Sequence, residues 1–380
     1  MLQALPASCG TSPFRQRQSH SSTGPNVPLT VTVVRDGTTV GTFTSAEIIS
    51  ADYAAYSPDI GFSGIATSSI DLTLVNKSSA TPAVQKGDTI RLSGDGYFPD
   101  FFVSERSFDT YTTSLTAYDC CSKLDKEFDN SNFDELDANN NIKLYTESEV
   151  LAAIRYQTGL TISSPTSTGE KYAKDDLSGT CRSILEAMSE VNGIMWVCST
   201  GSQITHVAYK DYLATATVSD FAEVLADTTQ KTFGALIVTD MTYNEVYSYG
   251  SGNVFKYIES NLIKNNSNVG GTLYSRFVNA VYSSFRLRSA KLSTTMFGCI
   301  PQQVTYPTGT STTASAIALN MVATYTPAGW LIDYSSPECD PDDDTYKSRL
   351  NRELKKTVKK DEKMGVFFLN ENGSGMRLKI

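Results

Sequence analysis

Short runs of alternating apolar and polar residues follow residue 28. The first run, Leu29–Val34, is rich in β-branched residues, and Asp36-Gly37 separates it from a second run over Val40–Phe43. This arrangement predicts a tight hairpin, because glycine readily adopts the positive φ that such a turn requires. Further strands are predicted over Ile70–Val75, Thr89–Leu92, Phe101–Ser104 and Tyr111–Tyr118. Short strands at this spacing indicate a small barrel or sandwich over residues 29–118.

The period of the apolar positions changes after residue 118. Thr146–Glu149 has the form of a capping box, in which the first and last side chains bond to each other's backbone N–H groups. It predicts the start of a helix that Gly159 ends. A second helix is predicted over residues 180–191, followed by Asn192-Gly193 and then a β-hairpin. These elements indicate an α/β segment.

Strand patterns return near residue 235. The predicted strands cover Ala235–Val238, Asn244–Tyr249, Val254–Tyr257 and much of residues 278–305. The Ser/Thr-rich stretch Thr308–Ala316 is typical of an exposed loop. A helix with basic faces is predicted over residues 345–363, and two short strands over Val366–Leu369 and Met376–Ile380 close the chain.

The predicted fold class is therefore mainly β, with an α/β insertion and a C-terminal helix. The predicted parts are a polar N-terminal leader (1–28), a first β-barrel domain (29–118), an α/β insertion domain (119–235), a second β-domain (236–339) and a C-terminal helix with strands (340–380).

The composition of the chain mainly argues against certain classes of function. The 380 residues carry 41 acidic and 32 basic side chains, so the net charge is −9. This charge disfavours non-specific nucleic-acid binding, which depends on clustered Lys and Arg. The two histidines, His20 and His206, leave little room for histidine-based catalysis. We expect no membrane span, because no stretch of 18 apolar residues occurs.

The seven cysteines are odd in number and widely spaced, at Cys9, Cys120, Cys121, Cys181, Cys198, Cys299 and Cys339. A disulfide framework usually has an even count in a short secreted chain. The spacing therefore favours free thiols in a reducing cytoplasm, most of them buried as small apolar groups.

Three groups of residues could form a catalytic or metal-binding site, and each group also has a purely structural interpretation. Cys198 and His206 fall on adjacent predicted strands, where they could form a nucleophile pair or be ordinary cross-strand neighbours. The acidic segment 127–137 could supply paired carboxylates for glycoside hydrolysis or form a solvated loop. Asp340, Asp342 and Asp344 resemble the start of a calcium loop, but the later positions Thr345 and Asn351 do not fit it, and acids ahead of a helix more simply stabilise its N-terminus. We therefore assign no catalytic, cofactor-binding or metal-binding residue and expect no cofactor.

The basic terminal helix also has more than one interpretation. Its Lys side chains could bind nucleic acid or an acidic lipid surface. Its narrow apolar stripe of Leu350, Leu354 and Val358 is more typical of a helix that docks or forms an oligomer.

The order of the elements resembles the baseplate hub proteins of tailed bacteriophages and related contractile particles. The resemblance covers roughly residues 29–265 and lies in the motifs Leu115–Asp119 before Cys120–Leu124, Thr180–Leu185 before Val191–Gly193, Leu236–Asp240, and Val246–Gly250. Each motif alone is short, and their order and spacing carry the similarity.

The resemblance implies a structural function without catalysis. Three copies of such a hub each contribute two tube-like β-barrel domains, which match a sixfold tail tube to a threefold spike or tip. The implied partners are the tail tube protein, distal tail or baseplate proteins, the spike or tip protein and the tape measure protein. DNA would pass through the ring without specific binding, and the implied location is the virion, with assembly in the bacterial cytoplasm.

Two alternatives stay open at this point. A tail-associated cell-wall hydrolase would need a catalytic constellation, and a carbohydrate- or receptor-binding tail protein would need clusters of exposed aromatic residues. The 20 tyrosines are compatible with the second alternative, but aromatic side chains also suit protein–protein interfaces.

Overall fold

We analysed a computed structural model of the chain. The residues that the structure describes are 28–57, 64–76, 84–94, 96–165, 169–199, 201–208, 211–220, 223–226, 231–232, 234–240, 245–251, 255–260, 271–275, 281–282, 285–289, 291–292, 296–308, 311–326, 329–336, 367–369 and 375–377. The predicted leader (except residue 28) and the predicted terminal helix lie outside these residues.

The described part of the chain is mainly β. The strands are β1 (Leu29–Arg35), β2 (Thr38–Phe43), β3 (Ile48–Tyr56), β4 (Ile65–Val75), β5 (Thr89–Gly94), β6 (Gly96–Tyr97), β7 (Phe101–Phe108), β8 (Thr112–Tyr118), β9 (Leu144–Thr146), β10 (Thr161–Ile162), β11 (Lys171–Ala173), β12 (Ile194–Cys198), β13 (Gln203–Ala208), β14 (Ala214–Asp220), β15 (Glu223–Ala226), β16 (Lys231–Thr232), β17 (Ala235–Asp240), β18 (Glu245–Gly250), β19 (Phe255–Ser260), β20 (Val281–Tyr282), β21 (Phe285–Ser289), β22 (Lys291–Leu292), β23 (Met296–Phe297), β24 (Gln302–Pro307), β25 (Thr313–Ala318), β26 (Asn320–Thr326), β27 (Gly329–Ser335), β28 (Phe367–Leu369) and β29 (Gly375–Arg377). The longer α-helices are α1 (Glu147–Thr158) and α2 (Cys181–Asn192), residues 271–275 are also helical, and the short 3-10 helices are Ser45–Glu47, Cys120–Asp125 and Lys174–Asp176.

The first hairpin forms as the sequence predicts. Asp36 and Gly37 connect β1 to β2 with φ values of 48° and 78°. Both values are positive, as the primed two-residue turn requires, and the non-glycine residue is one of the few types that tolerate this region.

One large sheet joins strands that are far apart in the chain, from β1 to β27. Its main path runs β15-β21-β27-β26-β3-β4-β8-β7-β5-β1-β2, and the β12–β13 hairpin joins it at β4. In the antiparallel β3–β26 pair, Tyr56 lies opposite Asn320 and Ala51 opposite Tyr325. The Thr324 hydroxyl donates to Asp52 Oδ1 at 2.8 Å across the same pair. The two predicted β-domains therefore share a sheet.

Smaller sheets complete the described β-structure. One has the order β22-β14-β24-β25, and another places β17 between β18 and β19. The loop predicted over Thr308–Ala316 is wrong at its C-terminal end, because Thr313–Ala318 forms β25 and pairs with β24. Within the predicted insertion segment, β14 and β15 pair with β24 and β21 of the predicted second β-domain. The domain boundaries themselves stay predictions.

Both helices of the predicted insertion have the expected ends. The Thr146 side chain accepts from the Glu149 N–H at 3.4 Å, while the Glu149 carboxylate accepts from the Thr146 N–H at 2.7 Å. Gly159 ends α1 at φ 69°, and Gly193 ends α2 at φ 59°. These left-handed positions explain why glycine stands at both helix ends.

The apolar interior consists of two clusters. The sheet core contains side chains from Leu29 to Tyr334 and unites the strands of the large sheet with β24 and β25. The insertion core contains the apolar faces of α1 and α2 together with residues of the 3-10 helix Cys120–Asp125. All five residues of β12 are buried, and they alternate: Met195 and Val197 belong to the sheet core, whereas Trp196 belongs to the insertion core.

The structure tests the predicted fold class and the predicted two-barrel arrangement to different extents. The mainly β class is confirmed, whereas the strands that the structure describes form no closed barrel, so the two-barrel arrangement stays a prediction.

The two predicted C-terminal strands are present as β28 and β29 and pair antiparallel. Among the residues described, none of the helices combines the length and the apolar character needed to cross a bilayer.

Candidate functional site

The structure does not place Cys198 opposite His206. In the β12–β13 hairpin, His206 pairs with Trp196, whereas Cys198 pairs with Ile204. The His206 ring lies edge-on to the Trp196 ring at 5.9 Å, and its Nδ1 is 2.7 Å from the Ser163 hydroxyl. These contacts favour the ordinary cross-strand interpretation of His206 over a cysteine–histidine pair.

The carboxylates of the acidic segment are occupied by local contacts. Asp134 forms an ion pair with Lys143 at 2.6 Å. Asp137 Oδ1 accepts from the backbone N–H groups of Asn139 and Asn141 at 2.8 and 2.9 Å. These hydrogen bonds lower the pKa of Asp134 and the pKa of Asp137, whereas a glycosidase acid needs a raised pKa. The segment therefore matches a structured acidic loop.

The remaining candidates give no metal centre within the described residues. No group of three His, Cys, Asp or Glu side chains there could hold a metal ion. Asp340, Asp342, Asp344 and His20 lie outside the described residues, so the calcium interpretation stays a prediction.

A buried carboxylate lies where the chain leaves the large sheet. Asp119, the last residue of the Leu115–Asp119 motif, is 2% exposed. Its Oδ2 accepts from the Ser68 N–H at 2.6 Å and from the Ser68 hydroxyl at 2.7 Å, and its Oδ1 accepts from the Cys121 N–H at 2.9 Å. Asp119 therefore caps the 3-10 helix and ties it to β4. Burial raises the pKa of Asp119 to about 7.

Three buried thiols lie beside this carboxylate. The Sγ atoms of Cys120 and Cys198 are 2.8 Å apart, although the residues are separated by 78 positions. The Cys121 thiol lies 3.8 Å from the Ala66 carbonyl oxygen. Hydrogen bonds from Cys121 and Cys198 lower the pKa of the Cys120 thiol, and the pKa values of the other two thiols are raised.

A second buried polar contact joins the early and late strands. The Tyr53 hydroxyl on β3 donates to the Gly298 carbonyl oxygen at 2.7 Å, and both lie in the interior. A Cβ atom at Gly298 would lie 2.4 Å from a ring carbon of Phe98, so only glycine fits there without displacing the ring. This close approach holds the segment before β24 against the first strands of the large sheet.

The β7–β8 hairpin exposes two aromatic side chains at its tip. Phe108 is 68% exposed and Tyr111 is 77% exposed. Asp109 orders the turn between them, because its Oδ1 accepts from the backbone N–H groups of Tyr111 and Thr112 at 2.7 Å. An ordered turn that presents aromatic side chains to solvent suits a protein contact.

Sequence reasoning identified the motif that contains Asp119 but not the partners of these groups. No spacing rule links Cys120 to Cys198, or Tyr53 to Gly298, because the contacts arise from strand pairing over long distances in the chain. The adjacent cysteines after Asp119 were the one local signal. The buried groups described here hold elements together.

Comparison with known proteins gives a fold and no sequence family. Neither the models of protein families nor the curated proteins contain a match to this chain. Among solved structures, the 43 kDa tail protein of prophage MuSo2 from Shewanella oneidensis is similar, with a TM-score of 0.51 and 11% identity over 83% of this chain and 98% of that one. The tail protein from Neisseria meningitidis MC58 is similar with a TM-score of 0.51 and 10% identity, over 82% of this chain and 97% of that one. The chain therefore has the fold of these two tail proteins over nearly their whole length.

Proposed function

We propose that this protein is a structural component of a phage tail or a related contractile particle, with no catalytic role. The observation that carries the proposal is the fold shared with two tail proteins along almost all of their chains. Fold alone does not determine function, but a structural role needs no reactive site. The likeness extends over 83% and 82% of this chain.

The more specific form of the proposal is a baseplate hub. Three copies would surround the tail axis and join the tail tube protein to the spike or tip protein, next to distal tail, baseplate and tape measure proteins. DNA would pass through the ring without specific binding. The protein would assemble in the bacterial cytoplasm and remain in the virion. The support for this form is the order of sequence motifs that resemble hub proteins.

The exposed tip of the β7–β8 hairpin is the contact surface that we assign to this assembly. Phe108 and Tyr111 project from a turn that Asp109 holds in place, so burying them would cost little ordering entropy. Aromatic side chains contribute strongly to protein interfaces when they become buried.

Light scattering on the purified full-length chain tests the oligomer. We expect a mass three times the 41.4 kDa of one chain. The F108S/Y111S double variant should shift the mass towards that of one chain while its thermal unfolding stays unchanged. Tyr156→Ser is the matched control, because Tyr156 is 87% exposed and belongs to α1 and not to the hairpin, so this variant should leave the mass unaltered.

Imaging of the native particle tests the location. We expect density for this chain on the tail axis between tube and tip. A stable monomer at high concentration would contradict the trimer, and density away from the axis would contradict the hub. Release of fragments from purified peptidoglycan by the wild-type chain would contradict the non-catalytic role.

A further inference from the structure

Two buried sulfur atoms are held within bonding reach by rigid elements. Cys120 is the first residue of a 3-10 helix that Asp119 caps, and Cys198 is the last residue of β12. Their Sγ atoms are 2.8 Å apart. A disulfide bond has a length of about 2.05 Å, so closure requires a movement of under about 1 Å. Both side chains are buried, at 0% and 4% exposure, which limits alternative rotamers.

From this geometry we propose that Cys120 and Cys198 are an oxidisable dithiol that closes to a disulfide between the 3-10 helix and β12. The third thiol, Cys121, follows Cys120 directly and has a main-chain carbonyl, that of Ala66, within 3.8 Å. Adjacent cysteines are poorly placed to bond each other, since their Cβ vectors diverge along the chain. The proposal does not depend on the tail function.

The oxidant is hydrogen peroxide. The Cys120 thiolate attacks one peroxide oxygen, and the other oxygen leaves as water once protonated, which gives a sulfenic acid on Cys120. The Cys198 sulfur then attacks the Cys120 sulfur, the S–S bond forms, and the sulfenic oxygen leaves as a second water. In total, two thiols and one peroxide give one disulfide and two waters. The hydrogen bonds that lower the pKa of the Cys120 thiol make it the attacking group.

The disulfide would enclose most of the insertion core. The closed loop spans 78 positions and contains α1 and α2 together with β9 to β11. A cross-link over a loop of this length restricts the unfolded chain, so oxidation should stabilise the fold when the native geometry is already compatible. We therefore expect the oxidised protein to melt several degrees above the reduced protein, and the difference to disappear with dithiothreitol.

Peptide mapping after peroxide treatment tests the link in the wild-type chain. Cleavage after Lys and Arg places Cys120 and Cys121 in the peptide Ser107–Lys123 and Cys198 alone in Ser183–Lys210. We expect these two peptides to appear joined, with a mass about 2 Da below their sum, because a disulfide forms with loss of two hydrogens. Linkage of Ser107–Lys123 to a peptide with Cys181 or Cys299 would overturn the proposal.

Variants distinguish Cys120 from Cys121. Cys121→Ser should retain the joined peptides and the rise in melting temperature, whereas Cys120→Ser should lose both. Cys299→Ser is a further control and should behave as the wild type. Equal cross-linking in the Cys120 and Cys121 variants would overturn the proposal, as would oxygen addition to the thiols without any cross-link. If a variant fails to fold, the wild-type map still tests whether Cys198 is linked to the Cys120-Cys121 pair.

Discussion

The sheet core and the insertion core are built from very different stretches of chain. Most of the insertion core lies between Cys120 and Ile204, and its helices begin and end at strong local signals. The sheet core requires β3 to pair with β26, across 272 positions between Asp52 and Thr324. Contacts of such long range cost loop entropy before they stabilise anything. The comparison indicates that the insertion core can assemble early and that the sheet core closes late.

The two cores nevertheless share strands, because β4, β12 and β13 each contribute side chains to both. β12 pairs in parallel with β4 through Trp196 opposite Ile65 and Val197 opposite Ala66. Because its side chains alternate between the cores, a loss of β12 removes apolar contacts from both. The sheet core and the insertion core therefore need not be independent folding units, even if they assemble at different times.

The largest expected effect comes from removing the aromatic side chain that β12 gives to the insertion core. Trp196 is fully buried, and its Nε1–H donates to the Leu185 carbonyl oxygen of α2 at 2.9 Å. We expect Trp196→Ala to lower the free energy of unfolding by about 3–5 kcal/mol, from the cavity and the lost burial. Chemical denaturation followed by the fluorescence of Trp330, which lies in the sheet core, measures whether the loss reaches that core.

Trp330→Ala is the matched variant, because Trp330 is buried in the sheet core against Phe98 and Tyr325. If the cores are coupled, both variants lower the stability of the whole chain. A Trp196→Ala variant in which the Trp330 transition keeps its wild-type midpoint would contradict the coupling.

The sequence predicted the parts of the fold that depend on neighbours in the chain. The Asp36-Gly37 turn and the capping box at Thr146 are local, and both are present. The strand β3 was missed because its inward positions include Ala51 and Ala55, which give a weak apolar alternation and have low strand propensity. The pairing of β3 with β26 also has no local signature.

The candidate site was less predictable than the fold. The motif around Asp119 was recognised, but its partner Ser68 is 51 residues away on β4. The contact of Cys120 with Cys198 likewise depends on how β12 meets β4. Only the packed fold brings these groups together, so a spacing rule along the chain could not find them.

A pH-dependent effect is expected at the junction of the two cores, where Asp119 lies. Burial raises the pKa of Asp119 from about 4 to about 7, so the folded state binds a proton that the unfolded state loses between these values. The stability contributed by Asp119 is therefore complete below about pH 4 and is lost as the pH rises to about 7. We expect the difference in unfolding free energy between wild type and Asp119→Asn to decrease over this window, by up to about 1.4 kcal/mol per pH unit.

Urea denaturation at a series of pH values measures this difference. Asp137→Asn is the control, because Asp137 is only partly buried and local hydrogen bonds lower its pKa, so its difference from the wild type should be flat above pH 5. The opposite outcome is a difference in unfolding free energy between wild type and Asp119→Asn that increases with pH. It would mean that the three hydrogen-bond donors to Asp119, and not burial, determine its pKa.

The smallest expected effect is the absence of a difference between two unfolding midpoints. It tests most directly whether the sheet core and the insertion core unfold together. The chain has two tryptophans, and each lies in a different core. Trp196→Phe leaves only the sheet-core probe and Trp330→Phe leaves only the insertion-core probe. Because β12 belongs to both cores, we expect the fluorescence midpoint of each variant to coincide with its own far-UV circular dichroism midpoint. Comparison within each variant removes the stability change that the substitution itself causes. An earlier Trp196 transition than the circular dichroism transition would mean that the insertion core unfolds alone, and the parallel contact of β12 with β4 would then be too weak to couple the two cores.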